Sequence, residues 1–329
     1  MTRLILTGWL IPEFTKPDFA DLAVDFFFRF TWGPLPSPAE LAAYLGPRAP
    51  DHAPGHHWSD SASRWSRIEN GSRRDLSLAE FCQQYETVEL WFDPQPKAQL
   101  RLVWLLDYFR SHPETVARLK FRLVDLAMIE LERLGKWRPP AVDVTEKELE
   151  TASAAWQAYR APTPEACFDL LGKDLSALPL LKPVLIDLLE ELPSSSTGLG
   201  ASEMRMLELI SAGNASPPDV FPGYRKSNKR RVFGYWEVGA LLDGLARGPA
   251  PAVSGLDEGP FTEELHKDAG RHARYKQSKL SLTALGKAVL AQADDFSRHN
   301  PIRRWWGGTK LTSQNLWRWD STYDALIAP

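Results

Sequence analysis

Residues 3–7 (Arg-Leu-Ile-Leu-Thr) form a short apolar run closed by Gly8, the pattern of a strand entering a turn. Residues 24–30 (Val-Asp-Phe-Phe-Phe-Arg-Phe) read as a second strand, rich in aromatics and stopped at Trp32-Gly33-Pro34. Residues 39–45 suit a short helix, and 46–55 read as loop because proline and glycine recur there. Residues 88–92 (Val-Glu-Leu-Trp-Phe) predict a third strand. A helix then begins near Pro96, a residue suited to the first turn, and runs to about Phe109. Residues 119–124 predict a fourth strand. Strands alternating with helices imply βαβ units and a small, mainly parallel sheet over residues 1–138.

Pro139-Pro140 marks a change to helical periodicity. Helices are expected over 146–159, from about 165 behind the cap-forming Thr163, and over 180–192. Residues 194–198 (Ser-Ser-Ser-Thr-Gly) have the composition of a flexible linker, so 139–197 reads as a helical linker domain. From 198 onward the order is an amphipathic helix (201–212), a basic stretch, and a helix over 233–245. A polar loop over 248–277, a short strand near 279–283 and a closing helix over 284–296 follow. That order is winged-helix-like and predicts an α+β region with a tryptophan-rich tail over 198–329.

Composition narrows the class. With 43% hydrophobic and 25% charged residues, the 329-residue chain has the balance of a globular protein of about two domains. A net charge of −3 gives no overall pull towards nucleic acid or membrane, so such a preference must come from a local patch. The apolar runs fall short of the roughly 20 residues that span a bilayer; the richest, Leu100–Phe109, is interrupted by Arg101 and Asp107. The N-terminal run is broken by Gly8 and Pro12 and lacks a cleavage-site pattern, so a cytoplasmic protein without a membrane partner is expected. Cys82 and Cys167 are far apart and read as small buried hydrophobes.

Candidate chemistry gathers at two places. In open parallel sheets ligands bind beyond the carboxyl ends of strands. That rule points to Gly8, Trp32 and Asp93, with Gln99 a turn into the following helix, as anchors for a small polar or nucleotide-like ligand. The bland alternative is that Asp93 caps the helix behind it. No dinucleotide or P-loop glycine pattern is present, so no cofactor is expected. His52, His56 and His57 cluster in a Pro/Gly-rich loop without the spacing that aims metal ligands, and no metal site is assigned. Asp93 and Asp125 would form an acid pair only under a particular strand order. No nucleophile–base signature appears, which ranks an enzyme below a binding protein.

The second place is the basic stretch Arg225, Lys226, Lys229, Arg230 and Arg231, five cations within seven residues ahead of the expected recognition helix. Phosphate contacts need such groups. Arg271, His272, Arg274, Lys276 and Lys279 would extend the positive surface as a wing. The leading expectation is therefore a DNA-binding or regulatory protein whose α/β domain senses a ligand or partner. The alternatives are an enzyme or binding protein for a small polar ligand at the strand ends, and an interaction scaffold that dimerises through its tryptophan-rich tail.

That tail carries a resemblance. It reads Leu282-Thr-x-x-Gly286-x-x-Val289-Leu290, then Asn300-x-Ile302-x-Arg304-Trp305-x-Gly307-Gly308-x-x-Leu311, then Leu316-Trp317-Arg318-Trp319-Asp320. It resembles a family of bacterial cytoplasmic proteins that join an N-terminal α/β domain to a helical, winged-helix-like C-terminal region and have no assigned activity. Gly33-Pro34, Trp91-Phe92-Asp93 with Gln99-Leu100, and loosely Ala155–Pro162, extend the resemblance over most of the chain. The chain departs from the family pattern at Thr7-Gly8-Trp9, where an Asn-Gly-Asp is usual, and at Asp93-Pro94-Gln95, where a Glu-His-Asp is usual. These departures imply a reduced or altered strand-end site.

Overall fold

A computed structural model of the chain describes residues 2–8, 14, 16, 18–26, 28–62, 75–123, 139–221 and 232–329. The chain divides into two compact units. The first comprises residues 1–30, 35–160 and 172–184; the second comprises 31–34, 161–171 and 185–329. The stretch 139–197 is thus shared between them.

The first unit is built on a five-stranded sheet ordered β2-β1-β3-β4-β5. Its strands are β1 (Arg3–Thr7), β2 (Leu22–Asp25), β3 (Thr87–Phe92), β4 (Leu119–Leu123) and β5 (Val142–Asp143). The first four are mutually parallel, and β5 closes one edge antiparallel to β4. Every residue of β3 is buried, as expected of a central parallel strand covered on both faces. Among the described residues five helices lie between the strands: α1 (Pro38–Leu45), α2 (Trp58–Ala62), α3 (Leu78–Cys82), α4 (Pro96–Phe109) and α5 (Pro113–Val116). The helix α6 (Glu146–Arg160) follows β5 and packs on α4. Pro96 at the start of α4 has its φ preset for a helix and lacks the amide that would need a partner there.

The aromatic run does not form the expected strand over 24–30. β2 ends at Asp25, and Phe26, Phe28 and Phe30 collect around Trp104 of α4, with ring centroids 5.9, 5.0 and 5.3 Å away. The carbonyls of Phe28 and Phe30 accept from the Arg101 guanidinium (2.9 Å) and the Tyr159 hydroxyl (3.0 Å), so side chains take the bonds a strand neighbour would have made.

The opposite face of the sheet carries charge. Glu89, 1% exposed, meets Arg3 (3.2 Å) and Arg122 (2.8 Å), and its second oxygen accepts from the Trp91 indole (2.8 Å). The alternation of β3 puts Glu89 and Trp91 on the same side, and their neighbours Ile5 and Arg122 in the adjoining strands follow from the register.

In the second unit, α7 (Glu165–Leu170) and α8 (Leu181–Leu189) precede α9 (Ala201–Ser211), α10 (Pro217–Val220) and α11 (Tyr235–Arg247); the boundary between the units falls within α8. The short strands β6 (Val253–Ser254) and β7 (Ser281–Leu282) pair antiparallel, and Leu280 N donates to Ala215 O at 2.7 Å just beyond α9. The expected loop over 248–277 holds two helices, α12 (Glu263–Lys267) and α13 (Ala269–Gln277). Thr262 and Asp268 start them by accepting from Leu265 N and Arg271 N, caps that outweigh the polar composition. α14 (Ala284–Leu290) and α15 (Phe296–His299) lead to two hairpins, β8 (Arg303–Trp306) with β9 (Thr309–Thr312) and β10 (Arg318–Asp320) with β11 (Ala325–Ile327).

The expected flexible linker at 194–198 is instead bonded to the tail. Ser195 N donates to Trp319 O, Trp319 N to Pro193 O, and Arg318 Nη1 to Ser194 O. Serine-rich composition alone does not free a segment whose backbone has partners.

Gly286 shows how closely α14 approaches β6. A Cβ there would stand 2.0 Å from the carbonyl oxygen of Ala252. Gly286→Ala is therefore expected to destabilise the protein by about 1–3 kcal/mol, although alanine is the better helix former by about 1 kcal/mol. Thermal unfolding checks this, and a variant with a raised Tm would refute the close contact. Among the described residues no helix is long and apolar enough to cross a membrane.

Candidate functional site

At the carboxyl edge of the sheet, order β2-β1-β3 places the reversal of strand order between β1 and β3, where an α/β sheet opens its ligand crevice. Gly8 ends β1 and Asp93 follows β3. The side chain of Arg101, an interior residue of α4, reaches the end of β1. Its Nη1 donates to Gly8 O at 2.7 Å and its Nε to Phe28 O at 2.9 Å. A Cβ on Gly8 would lie 3.2 Å from the Phe92 ring and 3.5 Å from Arg101 Nη1, so the glycine is covered by the protein's own side chains.

Asp93 is 3% exposed. Its Oδ1 accepts from Gln95 N at 3.0 Å, bracing the backbone that leads into α4, and its carbonyl accepts from Gln99 Nε2 at 2.8 Å. The structure thus brings Asp93 and Gln99 together and engages Asp93 in local support of the helix start. Trp32 does not share this edge. It belongs to the second unit, seven residues past the end of β2, and packs edge-on to Phe233 at 5.8 Å. Asp125 lies outside the described residues.

Gln99 also lines a pocket of about 270 Å³ in the first unit, between the first turns of α4, the β4–β5 edge, the start of α6 and the turn over 176–180. Leu102, Phe121, Val142 and Leu178 supply apolar walls, and among the described residues Glu148 supplies the one formal charge of the lining. Glu148 is placed by the start of α6, where its Oε2 accepts from Thr145 N (2.7 Å) and from the Thr145 hydroxyl. At this end, Ser176 Oγ accepts from Lys147 Nζ, which also pairs with Asp174 (3.3 Å).

His57 is fully buried. Its Nε2 donates to Gly46 O (2.8 Å), so Nδ1 is the acceptor for Ser59 Oγ (2.8 Å). Burial holds its pKa below the ordinary imidazole value, and the ring is a neutral structural bridge. His52 Nδ1 accepts from Ala49 N. Among the described residues no three metal-ligating side chains gather. Cys82 and Cys167 are buried free thiols, with the pKa of each raised by burial.

In the second unit, Arg225, Lys226, Lys229, Arg230 and Arg231 lie outside the described residues. The helix they precede, α11, turns Val238, Leu241, Leu242 and Leu245 inward. Gly244 and Arg247 are exposed and Ala240 is half-buried; nothing stands over Gly244. The expected wing is partly neutralised. Arg271 and Arg274 both bind Glu258 (3.1 and 2.6 Å). His272 stacks on His266 at 3.9 Å, and burial followed by the neighbouring imidazole lowers its pKa. Lys276 and Lys279 remain exposed.

The tail tryptophans are mostly interior: Trp306, Trp317 and Trp319 are buried and Trp305 is half-buried. Trp306 Nε1 donates to Leu188 O at 2.6 Å. Arg304 binds Glu203 (2.8 Å) and Glu191 O (3.2 Å), Arg318 binds Asp295 (2.9 Å), and Asn300 bonds both ways with Ala250. The motif residues therefore hold the second unit together.

Sequence reasoning missed Arg101, Glu148 and the 176–180 turn. The signal for the first was present, because an arginine inside the apolar run 100–109 needs buried acceptors. No protein-family model matches the chain, and no curated protein matches it.

Proposed function

We propose that this is a cytoplasmic DNA-binding regulatory protein whose C-terminal unit meets the duplex through residues 225–231. The observation that carries the reading is the hydrogen bond from Leu280 N to Ala215 O. It sets Ala215 beside the residue that leads into β7, which pairs with β6, in a chain order of α9, α10, α11, β6 and β7. A winged helix would use strands in this order, which supports the reading, and in the sequence the five cations precede the helix that would enter the groove. Small outward residues on α11, Ala240 and Gly244, allow close approach to nucleic acid. The same architecture fits the family resemblance of the tail.

Because Arg271 and Arg274 are paired to Glu258, phosphate contact falls mainly to 225–231, with Lys276 and Lys279. Binding should then depend steeply on salt and discriminate sequences weakly. The test is anisotropy of a random duplex pool with the full chain and with Arg230→Ala/Arg231→Ala, at several salt concentrations. The double variant should bind more weakly, with a log–log salt slope shallower by about 2. Equal affinity and slope in both proteins would rule the reading out.

A polar-ligand site at Gly8 and Asp93 is less well supported, since both are engaged internally, Gly8 O by Arg101 and Asp93 by Gln95 N. Dimerisation through the tail is likewise less supported, because three of its four tryptophans are buried within one chain.

A further inference from the structure

We propose that the pocket beside Gln99 binds a compact amphipathic amine, and that this is the molecule the α/β domain recognises. The site is a different one from the crevice at Gly8 and is independent of DNA binding, so either reading stands if the other fails.

Three features select the ligand class. The first is size: at about 270 Å³ the pocket falls just below the range of sites for drug-sized ligands, so the occupant is small. The second is wall chemistry: Leu102, Phe121, Val142 and Leu178 demand an apolar body. Val142, 53% exposed, is one of the few large apolar side chains left open to solvent, and a ligand body would cover it.

The third is the polarity of the groups left to bind. Gln99 is 2% exposed, and because only an NH₂ can face a carbonyl, its bond to Asp93 O fixes the amide's orientation. The oxygen is the acceptor Gln99 has left to offer. Glu148 spends Oε2 on the start of α6 and keeps Oε1 outside that cap. Both groups accept hydrogen bonds and one is anionic, whereas among the described residues no cation belongs to the lining. Of the cations beside it, Lys147, which bonds Ser176, is paired with Asp174, and Lys120 is paired with Asp143. A carboxylate or phosphate would find repulsion here. An ammonium on a short hydrocarbon would find a charge partner, a second acceptor and apolar walls.

The experiment is titration calorimetry of the full chain with hexylamine, hexanol and hexanoate, which share one chain and differ in head group. Hexylamine should bind at least about tenfold more tightly than hexanol, the value of a charge-assisted hydrogen bond, and hexanoate should not bind. Glu148→Gln, which keeps an oxygen for the cap, should bring hexylamine down to the level of hexanol. Ala177→Phe, at the half-buried rim of the 176–180 turn, should block both ligands. No binding of hexylamine, hexanoate binding as tightly as hexylamine, or hexylamine binding unchanged in both variants would each overturn the proposal.

Discussion

Glu89→Ala is expected to cost about 3–5 kcal/mol of unfolding free energy, the penalty for breaking a buried ion pair from one side. Glu89 stands in the middle of the central strand, 1% exposed, between Arg3 and Arg122. Alanine would leave two guanidinium groups over the sheet without their carboxylate and would take the acceptor from the Trp91 indole. Arg122 already has a buried Nε without a hydrogen-bond partner, so its remaining bonds, to Glu89 and to Pro139 O, carry its solvation. Glu89→Gln keeps the shape and one acceptor but loses the charge and sets an NH₂ against a donor, so it should fall between wild type and alanine. Urea unfolding of the three proteins checks the order. A loss under about 1 kcal/mol for alanine would show that the arginines reach water once the carboxylate is gone.

Arg304→Ala is expected to cost about 3 kcal/mol, at the lower end of the same scale because the guanidinium is about one-fifth exposed. Arg304 of β8 crosses to Glu203 in the first turn of α9 and to the carbonyl of Glu191 after α8. Glu203 in turn accepts from Gly200 N at 2.9 Å, so the arginine supports the start of α9 as well as the hairpin. Removing it leaves a carboxylate that is 8% exposed without its cation. Arg304→Lys keeps the charge but not the fork that reaches two acceptors, and should recover less than half of the loss. Thermal unfolding with the tail's tryptophan emission as reporter follows it. A Tm within 1–2 °C of wild type, a shift worth well under 1 kcal/mol, would mean that the salt bridge adds nothing.

Much of the first unit was legible in the sequence because its central elements are continuous apolar runs. β1, β3, β4 and α4 fall where their patterns place them, within a residue or so. The aromatic run at 26–30 was misread because a strand and a ring cluster share one composition, and only the position of Trp104 separates them. The polar stretch 248–277 concealed two helices whose signals were their caps, Thr262 and Asp268, and not hydrophobic periodicity. At the site, Gln99 was legible from its place behind the third strand. The rest of its pocket comes from Glu148 and 176–180, brought in by folding from far along the chain, which no local pattern records. Trp32 was misplaced for the converse reason, since nearness in sequence to β2 did not keep it in that unit.

The bonds between Pro193–Ser195 and Trp319 also fix an order of events during synthesis. The first unit has all its residues once position 184 has been made, so it can fold while translation continues. In the second, the segment that follows α8 waits for Trp319, a partner more than a hundred residues later, whereas the buried helical core over 199–296 has its residues before that. A nascent chain therefore fastens the segment 193–195 last, after the residues of the α/β unit and of the 199–296 core have all been made.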